Sequence, residues 1–318
     1  MVRDRLTGAV RAGLGGGRRI GGVERLRGGS KKGVYRLAFD DGSTVVAYLW
    51  DAAEDYWPDR GEARDDSDPF AHASGVDLFL AAHRHLDALG IRVPRLHWAD
   101  AEIALVEDVR GGTLEALLDR DPERARPAMR RLAEILETMR RQRGPGFGKV
   151  AFPPGRAGGS CEEVVLGRAL GDLAEAASRD ARMAAAHDRV REVVHDLAAA
   201  VPPRSRHGLV HGELGPDHVL VDELGDPVLI DVEGLMFFDV EWEHAFLRIR
   251  FGEHYRHLRA AGLDERRLAF YTLAMRLSLV AGPLRLLDGD FPDRAFMRGI
   301  AEHNLREALA SLPAHGPA

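Results

Sequence analysis

Apolar and polar residues alternate from Val34 to Phe39, Asp40-Asp41-Gly42 follows, and an extended run resumes from Thr44 to Trp50. This is the pattern of two strands joined by a hairpin. A glycine-rich turn, Gly28-Gly29-Ser30-Lys31-Lys32-Gly33, precedes them. The period then changes. Residues 77–89 carry apolar side chains at helical spacing and stop at Gly90, Val93-Pro94 opens an extended segment, and Ile103–Val106 is a further strand. From Leu114 onward the pattern is helical, with the apolar residues of Met129–Met139 on one face and arginines on the other. Gly144–Gly159, rich in glycine and proline, reads as a long surface loop. Helices are expected at about 161–179 and 183–200, before a Pro202-Pro203 break, and near 239–252, 264–285 and 291–311. At the other end, Met1–Arg19 is interrupted by charges and glycines, and Gly13-Leu14-Gly15-Gly16-Gly17 reads as a flexible segment or turn. Strands come first and helices after, which implies an α+β fold.

Between the two helical stretches lies a segment of different character. Apolar residues lead from Arg206 to Val210 into His211; Gly212, Gly215 and Pro216 turn the backbone; Val219-Leu220-Val221 is extended again. A polar turn at Asp222–Asp226 leads to Pro227–Ile230, which ends on Asp231. That hairpin places Glu213, His218 and Asp231 at one end. Such a set suits phosphoryl transfer, where Mg²⁺ is held by one or two side chains with phosphate oxygens and water completing its shell. His218 and Asp231 are the candidate metal ligands. Glu213 is the candidate carboxylate that orients an acceptor hydroxyl, most of the rate coming from positioning and charge neutralisation.

Composition narrows the class. A chain of 318 residues exceeds a typical single domain, so two lobes sharing an interface are expected. It is 45% hydrophobic and 30% charged, as a globular protein is, and its net charge of −6 provides no basic footprint for nucleic acid. The single cysteine, Cys161, excludes an intramolecular disulfide and fits a reducing cytoplasm. With neither an apolar leader nor a long apolar span, the expected location is cytoplasmic, without a membrane partner.

His211-Gly212-Glu213, His218 and Ile230-Asp231 together resemble the aminoglycoside phosphotransferase family, small-molecule kinases with a protein-kinase-like fold. That family's catalytic loop runs His-Gly-Asp, four residues, then Asn, and an Ile-Asp follows one hairpin later. Here Glu213 stands at the Asp position and His218 at the Asn position, the latter being similar to the macrolide phosphotransferase branch. Asp239-Val240-Glu241-Trp242-Glu243 resembles the family's Gly-Asp-Pro-x-x-Asp segment, from which an acid hydrogen-bonds the catalytic-loop backbone; Asp239 and Glu243 are therefore read as structural. The resemblance implies a bilobal fold, with a small antiparallel sheet lobe (1–106), a hinge (107–112) and a larger helical lobe (113–318). It implies ATP or GTP with Mg²⁺, and His211 and Glu213 in the catalytic loop. Ser30, Lys31, Lys32 and Gly33 would lie in the nucleotide-covering loop, and main-chain groups of Glu107 and Val109 at the nucleobase edge.

One family residue is missing. The strand lysine that pairs with the α- and β-phosphates is replaced by Tyr48 in Val45-Val46-Ala47-Tyr48. The only lysines are Lys31, Lys32 and Lys149, so Lys31 or Lys32 is the candidate replacement cation. Asp77 is the candidate acid to pair with that cation. The acceptor is expected to be a hydroxylated small molecule, with an antibiotic or similar metabolite as the leading class. Met236, Phe237, Phe238, Trp242, Phe246, Phe251, Tyr255 and Tyr271, with Glu241, Glu253, His254 and His257 interleaved, suggest apolar pocket walls beside a larger share of core packing. Two functions stay open: an active O-phosphotransferase, or a catalytically silent nucleotide- or small-molecule-binding protein.

Overall fold

A computed structural model describes residues 2–58, 68–71, 74–152 and 159–312. Its first half is a five-stranded antiparallel sheet in the order β1-β2-β3-β5-β4, formed by β1 (Ile20–Arg25), β2 (Gly33–Phe39), β3 (Thr44–Leu49), β4 (Leu96–Ala99) and β5 (Ile103–Glu107). Alternation decides its two faces. Tyr35, Leu37 and Phe39 of β2 pack with Val45, Ala47 and Leu49 of β3 under helix α1 (Val2–Leu14), which contributes Leu6, Ala9 and Val10. The opposite face, with Val46, Tyr48 and Trp50, packs on Val76, Phe79, Ala82 and Leu86 of α2 (Val76–Ala88).

Helix α1 corrects the expectation for the N-terminal stretch. Gly13 lies inside the helix, where a Cβ would come within 2.5 Å of Trp98, and Gly15 follows the helix end at φ +87°. The glycines therefore let α1 approach β4 and then stop.

The sheet ends at Glu107, and the next helix, α3 (Leu114–Arg120), begins seven residues on. Helix α4 (Pro122–Arg141) starts from an Asp121 cap with proline at its first position, and buries Met129, Leu132, Leu136 and Met139. A capping box, Ser160 with Glu163, opens α5 (Cys161–Arg179). Helices α6 (Ala181–Ala199), α7 (Val240–Phe251), α8 (Glu265–Leu286) and α9 (Arg294–Ala310) complete this lobe. Its short strands form two units. β6 (Gly148–Lys149), β7 (Gly208–Val210) and β10 (Met236–Phe238) pair in the order β6-β10-β7. β8 (Val219–Val221) and β9 (Pro227–Leu229) form a hairpin with Val219 opposite Leu229. The chain is thus α+β and bilobal, an antiparallel sheet lobe followed by a larger helical one.

Buried residues of the sheet, α2, α4, β8 and β9 form one continuous cluster, so the lobes share a core. The aromatic stripe after Asp231 belongs to packing rather than to a pocket wall: Met236, Phe238, Trp242, Phe246, Phe251 and Tyr271 are all buried. Glu241 is buried in an ion pair with Arg204 and is no pocket acid. Within the loop expected at Gly144–Gly159, residues 153–158 lie outside the described ones. Among the described residues no helix is long and apolar enough to cross a membrane.

Candidate active site

The loop after β7 is held from behind. His211 is fully buried, and its Nε2–H donates to the Ile230 carbonyl at 3.0 Å, tying the end of β7 to the end of β9. Nδ1 of the same ring has no partner. Burial, helped by the neighbouring His218, pushes its pKa down to about 4, so the ring is neutral. It stacks on His218 at 6.3 Å between centroids. The ring is thus closed off from solvent and ties the loop to β9. Gly212 takes φ +95°, and a Cβ there would come within 3.0 Å of the Gly234 carbonyl. Its N–H donates to Glu243 Oε2 at 3.0 Å, and the His211 N–H shares that carboxylate. Burial pushes Glu243 up to about 7 despite these bonds. Glu243 is thus the α7 acid that fastens the loop. Asp239 does not cap α7; its carboxylate accepts from Arg267 and from Tyr271 at 2.6 Å.

At the front of the loop, His218 Nδ1 lies 2.7 Å from the Glu213 carbonyl. A carbonyl only accepts, so Nδ1 carries a hydrogen; in the neutral ring the lone pair then falls on Nε2. Nε2 lies 3.7 Å from Asp231 Oδ2 and 3.8 Å from Asp217 Oδ2. Burial works against protonation of this ring, but Asp231 and Asp217 outweigh it and set its pKa above the ordinary value. Asp217 in turn takes a 2.8 Å bond from Arg250. Asp231 is the one non-glycine among the described residues with positive φ, at +59°, a left-handed turn that swings its carboxylate out of the hairpin. The Glu213 side chain is exposed and makes no hydrogen bond among the described residues.

Across the lobe boundary stands Lys32. Its ammonium lies 2.6 Å from Asp231 Oδ1 and 2.6 Å from Glu233 Oε1, and 5.3 Å over the ring of Tyr48. Burial works to lower its pKa, yet Asp231 and Glu233 more than offset this and hold it above the ordinary lysine value. The cation absent from β3 is therefore replaced in space: Lys32 reaches over from the glycine-rich loop and rests on the phenol that occupies the lysine position. Tyr48 is itself core, edge-on to Trp50 and Phe79. Lys31 goes elsewhere, 5.8 Å over Trp57. Ser30 anchors the loop by accepting from Trp57 Nε1 at 2.9 Å and, through its carbonyl, from the Tyr56 N–H. A Cβ on Gly33 would meet Tyr35 and Glu54 at 2.6–2.7 Å.

One expectation fails here. Asp77 is exposed on α2, and the acid that pairs with the lysine is Glu233, whose only sequence mark is its place two residues after Asp231. The Glu107 side chain is fixed by Arg92 at 2.7 and 2.9 Å, its N–H donates to the Arg95 carbonyl, and the residue stands opposite Val45 in the sheet. The Val109 main chain makes no main-chain hydrogen bond among the described residues. Its neighbour Asp108 is fastened by Arg36 and Thr44.

The residues present fit a magnesium ion. Lys32 takes Oδ1 of Asp231 and leaves Oδ2, which faces Nε2 of His218 at 3.7 Å; a cation between them would take the place of a proton on that nitrogen, and one carboxylate and one imidazole leave the remaining positions to phosphate oxygens and water.

Comparison with known proteins agrees with this geometry. The profile of the phosphotransferase enzyme family matches residues 23–279, and the chain belongs to that family. It is a small-molecule phosphotransferase by class. Among solved structures, a thermostable mutant of aminoglycoside phosphotransferase APH(4)-Ia superposes with a TM-score of 0.63 at 18% identity, covering 96% of this chain and 100% of that one. Choline kinase LicA from Streptococcus pneumoniae gives 0.64 at 14% identity, covering 97% and 99%. A putative fructosamine-3-kinase from Thermobifida fusca YX-ER1 gives 0.54 at 21%, covering 98% and 99%. At these identities the likeness is one of fold. No curated protein matches the chain.

Proposed function

We propose that the protein transfers the γ-phosphate of ATP or GTP to a hydroxyl of a small molecule, an antibiotic or similar metabolite. The observation that carries this reading is the position of Lys32, which restores a buried cation beside Asp231 where Tyr48 had removed one. The main support for a silent protein thereby falls. APH(4)-Ia has been solved in a ternary complex with ADP and hygromycin B, a precedent for nucleotide beside a hydroxylated antibiotic on this fold. The buried aromatic stripe removes the argument for an apolar, macrolide-like acceptor, so the acceptor class stays broad.

Each residue then has a task. The 28–33 loop covers the phosphates and Lys32 neutralises them, while main-chain groups of Glu107 and Val109 meet the nucleobase edge across a hinge at 107–112, between lobes 1–106 and 113–318. Asp231 and His218 hold Mg²⁺, which supplies neutralisation of phosphate charge. Glu213 orients the acceptor hydroxyl and accepts its proton late, so its carboxylate needs no raised pKa. His211, Gly212 and Glu243 keep that loop in place. The lone cysteine, Cys161, is buried and supports a cytoplasmic setting.

The test is transfer of label from γ-labelled ATP and GTP to a panel of aminoglycosides, macrolides, amino sugars and choline. Mg²⁺-dependent label on a hydroxyl of at least one member is expected. Failure of the parent protein to bind either nucleotide would overturn the reading.

A further inference from the structure

Three side chains that the proposed reaction does not use converge in the core of the helical lobe. Cys161 opens α5, His207 immediately precedes β7, and Asp239 immediately precedes α7. They are 0%, 7% and 0% exposed. One ligand-type atom of each lies within 4.8 Å of those of the other two.

Asp239 and His207 each leave one buried polar atom without a partner. Asp239 Oδ2 accepts from Arg267 and from Tyr271, while Oδ1 has no hydrogen-bond partner. His207 Nε2 is likewise buried with no hydrogen-bond partner. A neutral ring with its hydrogen on Nδ1 would present the Nε2 lone pair to a metal. Left empty, each orphaned buried atom has given up its water without gaining a partner.

Charge points the same way. Asp239, Glu162 and Glu241 face Arg267 and Arg204, one formal negative charge in excess. A divalent ion bound to a thiolate adds one positive charge and closes the balance. Arg204 does not serve in its place: it stands 3.9 Å from Asp239 Oδ1 while its guanidinium is committed to Glu241 at 2.6 and 3.1 Å.

We propose that Cys161, His207 and Asp239 form a metal site for a borderline d-block dication, zinc in the first place. Thiolate, imidazole and carboxylate are zinc's usual donors and not those of magnesium. Zinc bond lengths place tetrahedral donor atoms roughly 3.3–3.8 Å apart, so the cluster closes on an ion with little movement. The fourth position falls to water or to Glu162 Oε1, itself buried without a partner. Such an ion joins α5, β7 and α7, and Glu243 on α7 holds Gly212, so the site braces the catalytic loop from behind without touching a reacting atom.

The test uses full-length protein without a histidine tag. Cobalt(II) is titrated into chelator-treated protein, the near-ultraviolet thiolate-to-cobalt charge-transfer band is recorded, and zinc is counted by mass spectrometry after expression in zinc-supplemented medium. Cys161 is the only thiol in the chain, so any such band reports on it. The expected results are one equivalent of bound zinc, a cobalt band saturating at one equivalent, and displacement of the band by zinc. His207→Gln should weaken cobalt binding at least about tenfold, and zinc should raise the melting temperature of the parent protein. A parent protein that stays folded by circular dichroism yet shows no cobalt–thiolate band and no stoichiometric zinc overturns the site, whatever its phosphotransferase activity.

Discussion

Replacing Lys32 with methionine keeps most of the stem and removes the charge. Its ammonium sits 2.6 Å from each of two carboxylates, with the lysine side chain 8% exposed, Glu233 12% and Asp231 39%. Breaking a buried pair costs about 3–5 kcal/mol, and the solvent access of Asp231 puts the expected stability loss at the lower end, about 3 kcal/mol. A charge-assisted contact to phosphate is worth about 1–3 kcal/mol, so the nucleotide Kd should rise about 5- to 150-fold. Isothermal titration with ATP and GTP in Mg²⁺ measures the second quantity and denaturant unfolding the first. Lys31→Met, which loses only a contact over Trp57, should cost less than about 1 kcal/mol in either. Adding Tyr48→Lys to Lys32→Met returns the cation to the strand and should recover at least about tenfold of the lost affinity. A Lys32→Met protein that binds nucleotide within about twofold of the parent would refute the reasoning.

Glu213→Gln should lower kcat by about 10²–10⁴-fold with nucleotide Kd unchanged, and Glu213→Asp should also slow transfer by shortening the reach; a Gln variant as fast as the parent excludes Glu213 from the step. Glu243 has its pKa raised from 4.5 to about 7 in the folded state, so its contribution to stability is full below pH 4.5 and is lost as pH rises through about 7. The change is on the order of 3 kcal/mol, and the stability gap between parent and Glu243→Gln, followed by urea unfolding from pH 4.5 to 8, should shift by about that amount in favour of Gln; a flat gap contradicts it. Arg267→Met strands Asp239 and Glu162 in the core and should cost about 3–5 kcal/mol in unfolding free energy, a loss under about 1 kcal/mol being inconsistent with the network described.

Local pattern carried much of this structure. The alternation of Val34–Phe39 and the Asp41-Gly42 turn became β2 and β3, and the helix expected at 161–179 spans Cys161–Arg179 because Ser160 and Glu163 mark its start unambiguously. Helix α1 escaped because its buried face is only Leu6, Ala9 and Val10, too narrow a stripe among charges to signal a helix. Strand β1, Ile-Gly-Gly-Val-Glu-Arg, has no alternation and is held by pairing with β2 and by Ile20 and Val23 against the core. In the site, the motif residues His218 and Asp231 were legible from spacing. The choice between Lys31 and Lys32 was not, since neighbouring residues leave an extended chain in opposite directions and only the folded loop decides which one faces Asp231. Glu233 as the partner acid and the burial of the aromatic stripe likewise depend on how the lobes pack, which no local pattern encodes.

The central claim, a working phosphotransferase with its cation moved to the loop, is tested most directly by γ-phosphate turnover. Phosphate release and transfer from ATP and GTP, with and without Mg²⁺, would be compared in the parent and in Asp231→Asn. The account predicts Mg²⁺-dependent turnover by the parent, reduced at least about a hundredfold in a folded Asp231→Asn protein. Turnover retained by Asp231→Asn at the parental rate, or a parent that turns over neither nucleotide, would contradict it.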